Sequence, residues 1–282
     1  MNIILIYTPK SGSALSEREL TKKCTTAGIE IEAFIPIGDG FDRKLKKHVE
    51  NGKYIAAVGG DGTISAVAGQ VANTKATLIP LPGGTLNHFT KDLGIPQDID
   101  EALARLVKAK PRTIDIAQVN DTYFINNSSI GIYPETLRDR EETQSMLGKW
   151  PAAILASFRA IVKLRTYTVT IDGKTVTTPF VFVGNNRYSI HPLGGTERSS
   201  LDEGLLTVFV AKTQSRLKLI AIAALALIGK TKQLLDFDIF HPKSLTIQTK
   251  REQISVSHDG EVSNISYPLT YKICPKALRI LG

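Results

Sequence analysis

The sequence predicts a parallel α/β domain followed by a strand-rich second domain, and three observations carry that expectation. Over residues 2–110, apolar runs of strand length alternate with segments of helical spacing, the pattern of βαβ units. Glycine-rich turns follow two of those runs, at 59–62 and 83–84. Beyond Pro111 successive extended runs take over, so a boundary is expected near 111–115.

In chain order, 2–8 reads as a buried strand, 15–27 as a helix stopped by Gly28 and 29–35 as an alternating strand. A basic helix over 41–51, stopped by Gly52, leads to a strand over 54–58. A helix over 64–73, a strand over 76–81 and a helix over 99–109 complete the first domain. Extended runs then fall at 113–119, 123–126, 167–171, 175–183, 205–211, 244–248, 253–257 and 267–273. Two helices interrupt them. Residues 150–164 carry Trp150, Ile154, Phe158 and Ile161 near one face with Arg159, Lys163 and Arg165 elsewhere, which suits an anionic membrane surface or packing on the β domain. Residues 216–230 are apolar nearly all round, as a buried helix or a lipid-facing wall is.

Composition narrows the class without choosing the partner. At 282 residues and 42% hydrophobic, the chain can bury a large core and divide in two. A net charge of +8 suits nucleic acid, an anionic membrane or a phosphorylated substrate, and no basic run is long enough to select among them. Cys24 and Cys274 have neither metal-ligand nor redox spacing, as in a reducing compartment. The apolar N-terminus lacks a basic leader and a cleavage-type segment, and the apolar stretch 217–228 falls short of the about 20 residues that span a bilayer. A soluble, cytoplasmic protein is therefore expected.

Chemistry concentrates in two loops. Gly59-Gly60-Asp61-Gly62-Thr63 follows a strand and opens a helix, so backbone N–H groups can approach a phosphate chain at a helix N-terminus. No Gly-Lys-Ser/Thr follows, and the spacing does not fit Gly-x-Gly-x-x-Gly; an Asp in such a turn suits a metal-bearing phosphate. The same residues also read as turn glycines, with Asp61 or Thr63 capping the helix. The second loop, 82–89, follows the next strand, and successive parallel strands place their end loops side by side.

Gly59-Gly60-Asp61-Gly62-Thr63, a motif shared with NAD kinases, together with Gly84-Thr85-Leu86-Asn87-His88-Phe89-Thr90-Lys91-Asp92-Leu93-Gly94-Ile95-Pro96, resembles the diacylglycerol kinase catalytic family, which includes sphingosine kinases and bacterial lipid kinases. The resemblance implies an NAD kinase/diacylglycerol kinase-like parallel α/β domain over 1–112. Over 113–282 it implies a mainly antiparallel β-sandwich whose last residues return to the first domain. ATP and Mg²⁺ are the implied cofactors. The implied nucleotide-side residues are Thr8, Ser11, Gly12, Gly59, Gly60, Asp61, Gly62, Thr63, Gly84, Thr85 and Asn87, with Thr8 standing where the family often has Asn.

Asp61, Ser200, Glu203 and Leu205 are the positions implied for Mg²⁺; Glu203 and Thr207 replace family aspartates, and a plain turn is the alternative there. In Ser257-His258-Asp259-Gly260-Glu261 an Asp-Gly pair between strands is a hairpin turn. The resemblance adds a role: Asp259 as general base and Glu261 as its acidic neighbour near Mg²⁺, with no role for His258. The implied activity is an ATP-dependent lipid kinase. Its acceptor is the hydroxyl of a membrane lipid, diacylglycerol foremost, met peripherally at the inner face of the membrane, with no nucleic-acid partner. Two alternatives stand beside it: a NAD kinase-like small-molecule kinase, whose Asn-Glu pair this sequence lacks, and a catalytically silent lipid-binding or regulatory module.

Overall fold

The computed structural model describes residues 1–8, 15–131, 166–190, 196–198, 200–212, 215, 237–248 and 252–282. The helices expected at 150–164 and 216–230 lie outside them, as do Ser11 and Gly12. Two compact units divide the chain: residues 1–116, 122–125 and 274–282 form one, and residues 117–121 and 126–273 the other.

The first unit alternates strand and helix. Its elements run β1 (Asn2–Tyr7), α1 (Glu17–Thr26), β2 (Glu30–Pro36), α2 (Phe41–Glu50), β3 (Tyr54–Gly59), α3 (Asp61–Val71), β4 (Thr77–Pro82), α4 (His88–Asp92) and α5 (Ile99–Leu106). The strands lie in the order β2-β1-β3-β4, every pair parallel, and the returning C-terminal segment adds Ile280 beside Leu78 in the same sense. Residues 3–6 and 55–58 are buried throughout, as strands covered on both faces must be. Each such Ile or Leu contributes about 1.5–3 kcal/mol on burial.

Local chemistry sets the helix ends. Ser16 and Glu19 form a reciprocal capping box at the start of α1, and Gly28 at φ +74° ends it. Phe41, Leu45 and Val49 form the buried stripe of α2. Asp98 caps α5, accepting from the N–H groups of Asp100 and Glu101. The expected helix over 99–109 ends at Leu106, the one over 64–73 begins at Asp61, and α4 had no counterpart in the sequence reading.

Strands β5 (Pro111–Val119) and β6 (Thr122–Phe124) precede β7 (Asn127–Ile130), β8 (Tyr167–Ile171), β9 (Lys174–Thr178), β10 (Val181–Asn185), β11 (Tyr188–Ile190), β12 (Thr196–Arg198) and β13 (Leu206–Ala211). The rest are β14 (Phe237–Phe240), β15 (Ser244–Gln248), β16 (Gln253–His258), β17 (Glu261–Ser266) and β18 (Leu269–Leu281). In the second unit one antiparallel sheet has the order β14-β13-β10-β7-β16-β17. The opening residues of β18 pair with β15, β15 with β8 and β8 with β9, again antiparallel. Between these layers the fully buried Tyr271 of β18 and Ser128 of β7 meet hydroxyl to hydroxyl at 3.1 Å. The antiparallel β-sandwich is thus present. The single run expected over 175–183 is instead two strands, because the chain turns at Pro179-Phe180 and sends β9 to one layer and β10 to the other.

Candidate active site

In the first unit, residues from three strand ends come together. Thr8 follows β1, and its Oγ1 lies 2.7 Å from Oγ1 of Thr63 in the first turn of α3. The glycines at the end of β3 and those after β4 pack backbone on backbone. A Cβ on Gly84 would stand 2.5 Å from Gly60 Cα, and one on Gly83 would stand 2.8 Å from Gly59 N. None of Gly59, Gly60, Gly83 and Gly84 has a positive φ: close approach of the two loops is what requires Gly83 and Gly84, the Thr63 side chain leaves no room for a Cβ on Gly59, and Gly60 would make only an ordinary contact.

Asp61 fixes that approach. Its Oδ2 accepts from His88 N at 3.0 Å and its Oδ1 from Phe89 N at 2.9 Å, so the carboxylate caps the far helix α4. The cap expected from Asp61 or Thr63 on their own helix is not made: Gly60 is the N-cap of α3 without a side-chain bond, and the Thr63 hydroxyl meets Thr8. Asn87, buried and left-handed at φ 50°, shapes the second loop. Its Oδ1 accepts from Gly84 N and its Nδ2 donates to Gly84 O, both at 2.9 Å. Thr85 and Leu86 are exposed, and Gly62 lies within α3.

A cavity of about 260 Å³ opens at these strand ends, lined by Tyr7, Thr8, Val58, Pro82, Gly83 and Gln97 among others. The carboxyl edge of a parallel sheet is where open α/β folds bind ligands. Sequence reasoning missed Gln97, whose Nε2 donates to Ile95 O at 2.9 Å and Thr90 Oγ1 at 3.2 Å, and Tyr7, whose hydroxyl donates to Glu17. Because Asp61 links both loops, Asp61→Ala is expected to weaken ATP binding about tenfold, a loss of about 1.4 kcal/mol. Titration calorimetry checks this, and unchanged affinity would remove the loops from nucleotide binding.

In the second unit, Asp259 and Gly260 form the two-residue turn between β16 and β17, at φ 47° and 89°, with His258 paired to Glu261. The Asp259 carboxylate reaches beyond its turn: Oδ1 accepts from Asn126 N at 2.8 Å and Asn127 N at 3.1 Å, while Asp259 N donates to Asn127 O at 2.9 Å. Glu261 is exposed, and Nε2 of His258 lies 3.0 Å from Ser263 Oγ.

Ser200, Glu203 and Leu205 sit in a turn with its own partners. Glu203 Oε2 takes Arg187 Nε at 3.0 Å, Glu203 N donates to Asn186 Oδ1 at 3.0 Å, and Leu205 O accepts from Asn186 N at 3.1 Å. Ser200 Oγ donates to Asp202. Thr207, buried at the position of a family aspartate, donates to Asn186 O at 2.9 Å and lies 3.3 Å from Nδ1 of His241. Burial, and secondly the charge of Arg187, holds the His241 imidazole below its usual range. A cation at Glu203 would compete with the Arg187 guanidinium. Among the described residues no three His, Cys, Asp or Glu side chains gather as a metal centre.

Comparison with known proteins identifies the family and the fold. Residues 2–119 match the diacylglycerol kinase catalytic domain, and residues 137–282 match the YegS C-terminal NAD kinase beta sandwich-like domain. A diacylglycerol kinase of Bacillus subtilis (strain 168) is 31% identical over 277 residues, spanning 91% of this chain and 88% of that protein. One from Staphylococcus aureus (strain Newman) is 28% identical over 275 residues, spanning 92% and 84%. Among solved structures, a putative diacylglycerol kinase from Bacillus anthracis str. Sterne has a TM-score of 0.73 at 25% identity, covering 99% of this chain and 96% of that one. An NAD kinase from Archaeoglobus fulgidus in complex with ATP shares the fold at 12% identity and a TM-score of 0.55, covering 100% and 94%. With its second domain matched over more than half of the chain and a 31% identical relative aligned along nearly all of it, the chain belongs to the diacylglycerol kinase family of kinases.

Proposed function

We propose that this kinase moves the γ-phosphate of ATP to the hydroxyl of a membrane lipid, diacylglycerol foremost, giving phosphatidic acid. The observation that carries this reading is the lock between the 59–63 and 83–89 loops at the sheet's carboxyl edge, closed by Asp61 on α4. Phosphoryl transfer asks mainly for position and charge stabilisation. Backbone N–H groups of Gly59, Gly60 and Gly62, with the hydroxyls of Thr8, Thr63 and Thr85, would hold the phosphates, while Asn87, which takes the Gly84 N–H, would keep Gly84 in place beside them. A carboxylate has about four acceptor positions, so capping two N–H groups is compatible with Asp61 also serving as a cation ligand. Mg²⁺, when bound with ATP, would offset the negative charge of the phosphates. Asp259 would accept the proton of the lipid hydroxyl, a contribution of about 10²–10⁴-fold, with Glu261 as its acidic neighbour.

Contact with the membrane is taken to be peripheral, at its inner face. Among the described residues no helix is long and apolar enough to cross a bilayer. The test is transfer of labelled γ-phosphate from ATP, with Mg²⁺, to diacylglycerol in mixed micelles. Labelled phosphatidic acid is the expected product. Label on NAD in place of lipid would replace the lipid reading with that of a small-molecule kinase, and ATP binding without any transfer would favour the silent module.

A further inference from the structure

A guanidinium reaches the Asp259 carboxylate through a single intervening residue. Tyr188 and Arg198 face each other across the β11–β12 hairpin. The Tyr188 ring is buried: it lies where a Cβ on Gly184 would collide with it, and it meets Phe182 edge-on at 5.8 Å. Arg198 lies over that same ring, its Cζ 5.5 Å from the centroid. Both side chains then converge on Asn126. Tyr188 OH donates to Asn126 O at 2.9 Å, and Arg198 Nη2 donates to Asn126 Oδ1 at 2.9 Å. Asn185 N adds a third bond, to Asn126 O at 2.9 Å. Asn126 in turn gives its own N–H to Asp259 Oδ1.

A hairpin aspartate whose only task is its turn needs no such support behind it. Here the side-chain oxygen and the carbonyl of Asn126 are held by a stacked cation and a packed phenol, and its backbone N–H goes to the carboxylate. In a half-buried setting a fixed positive charge is screened less than at the surface, and planar guanidinium geometry transmits orientation as well as charge. We infer that Arg198 is a positioning residue for Asp259, acting through Asn126 and steadied by Tyr188. The inference rests on Asp259 being the base of the proposed reaction.

The test is a double-mutant cycle read in steady-state lipid phosphorylation. Arg198→Ala lowers kcat about tenfold to a hundredfold, as loss of alignment does, and leaves KM for ATP and for diacylglycerol unchanged. Asn126→Ala, which keeps the backbone N–H but removes the acceptor of Arg198, reproduces that loss, and the double variant is no slower than the slower single one. Methylguanidinium restores part of the rate of Arg198→Ala, and Arg198→Lys, charged but unable to stack as a plane, falls between. Additive losses, a full kcat in folded Arg198→Ala, or a raised KM at unchanged kcat overturns the role. Should Arg198→Ala fail to fold in thermal unfolding, Arg198→Lys and Asn126→Ala carry the same comparison. Asp259→Asn, assayed in parallel, separates the two levels. Turnover retained in that variant removes Asp259 as base, whereas its inactivity beside a fully active Arg198→Ala overturns Arg198 alone.

Discussion

Asp259→Asn is expected to lower turnover about a thousandfold, inside the 10²–10⁴ range of a positioned general base, without shifting the thermal unfolding midpoint. The two halves of that statement have separate causes. Asparagine tolerates the left-handed backbone at φ 47° as well as aspartate does, and its Oδ1 can accept the same two bonds from Asn126 N and Asn127 N. The turn and its link to residues 126–127 therefore survive. What disappears is the capacity to accept a proton from the attacking hydroxyl. Single-turnover phosphorylation beside a thermal melt measures both. A near-wild-type rate would remove Asp259 from the base role, and a large drop in the melting midpoint would make it chiefly a structural residue.

Gly84→Ala is the second large effect expected, and it acts through the backbone. Its Cβ would lie 2.5 Å from Gly60 Cα and 3.0 Å from both Gly60 N and Asn87 Oδ1. Two of those three atoms are backbone and cannot swing aside, so a cost at the upper end of about 1–3 kcal/mol is expected, together with more than tenfold weaker ATP binding. Gly60→Ala is the matched control. Its nearest neighbour would be Gly84 Cα at 3.5 Å, an ordinary contact, and its φ of −79° suits any residue. That variant should melt like the wild type. Equal destabilisation by both would show that the loops are not packed as described.

Much of the first unit was legible because its elements obey one period at a time. The apolar runs at 2–8 and 54–58 and the Phe41, Leu45, Val49 stripe needed no tertiary information. Helix α4 was hidden because its start is set by a carboxylate 27 residues earlier, at Asp61, which reads locally as a cap for its own helix. Strand β17 was hidden because Glu261-Val262-Ser263-Asn264-Ile265-Ser266 is mostly solvated and lacks the apolar content of a core strand. The motifs pointed to Thr8 and Thr63 separately, but their 2.7 Å contact belongs to the fold. Arg198 and Asn126 carried no motif; the relation of Asn126, Tyr188 and Arg198 to Asp259 arises from strands β11 and β12, the segment just before β7 and a hairpin turn, distant in sequence.

The most direct measurement of the central claim is transfer of labelled γ-phosphate from ATP to equal mole fractions of diacylglycerol, a sphingoid base, ceramide, monoacylglycerol and phosphatidylglycerol in one micelle. Wild type and Asp259→Asn are run side by side, with NAD and a lipid-free control. The account predicts label in phosphatidic acid with the wild type and almost none with the variant. Label confined to NAD, or equal lipid labelling by both proteins, would contradict it.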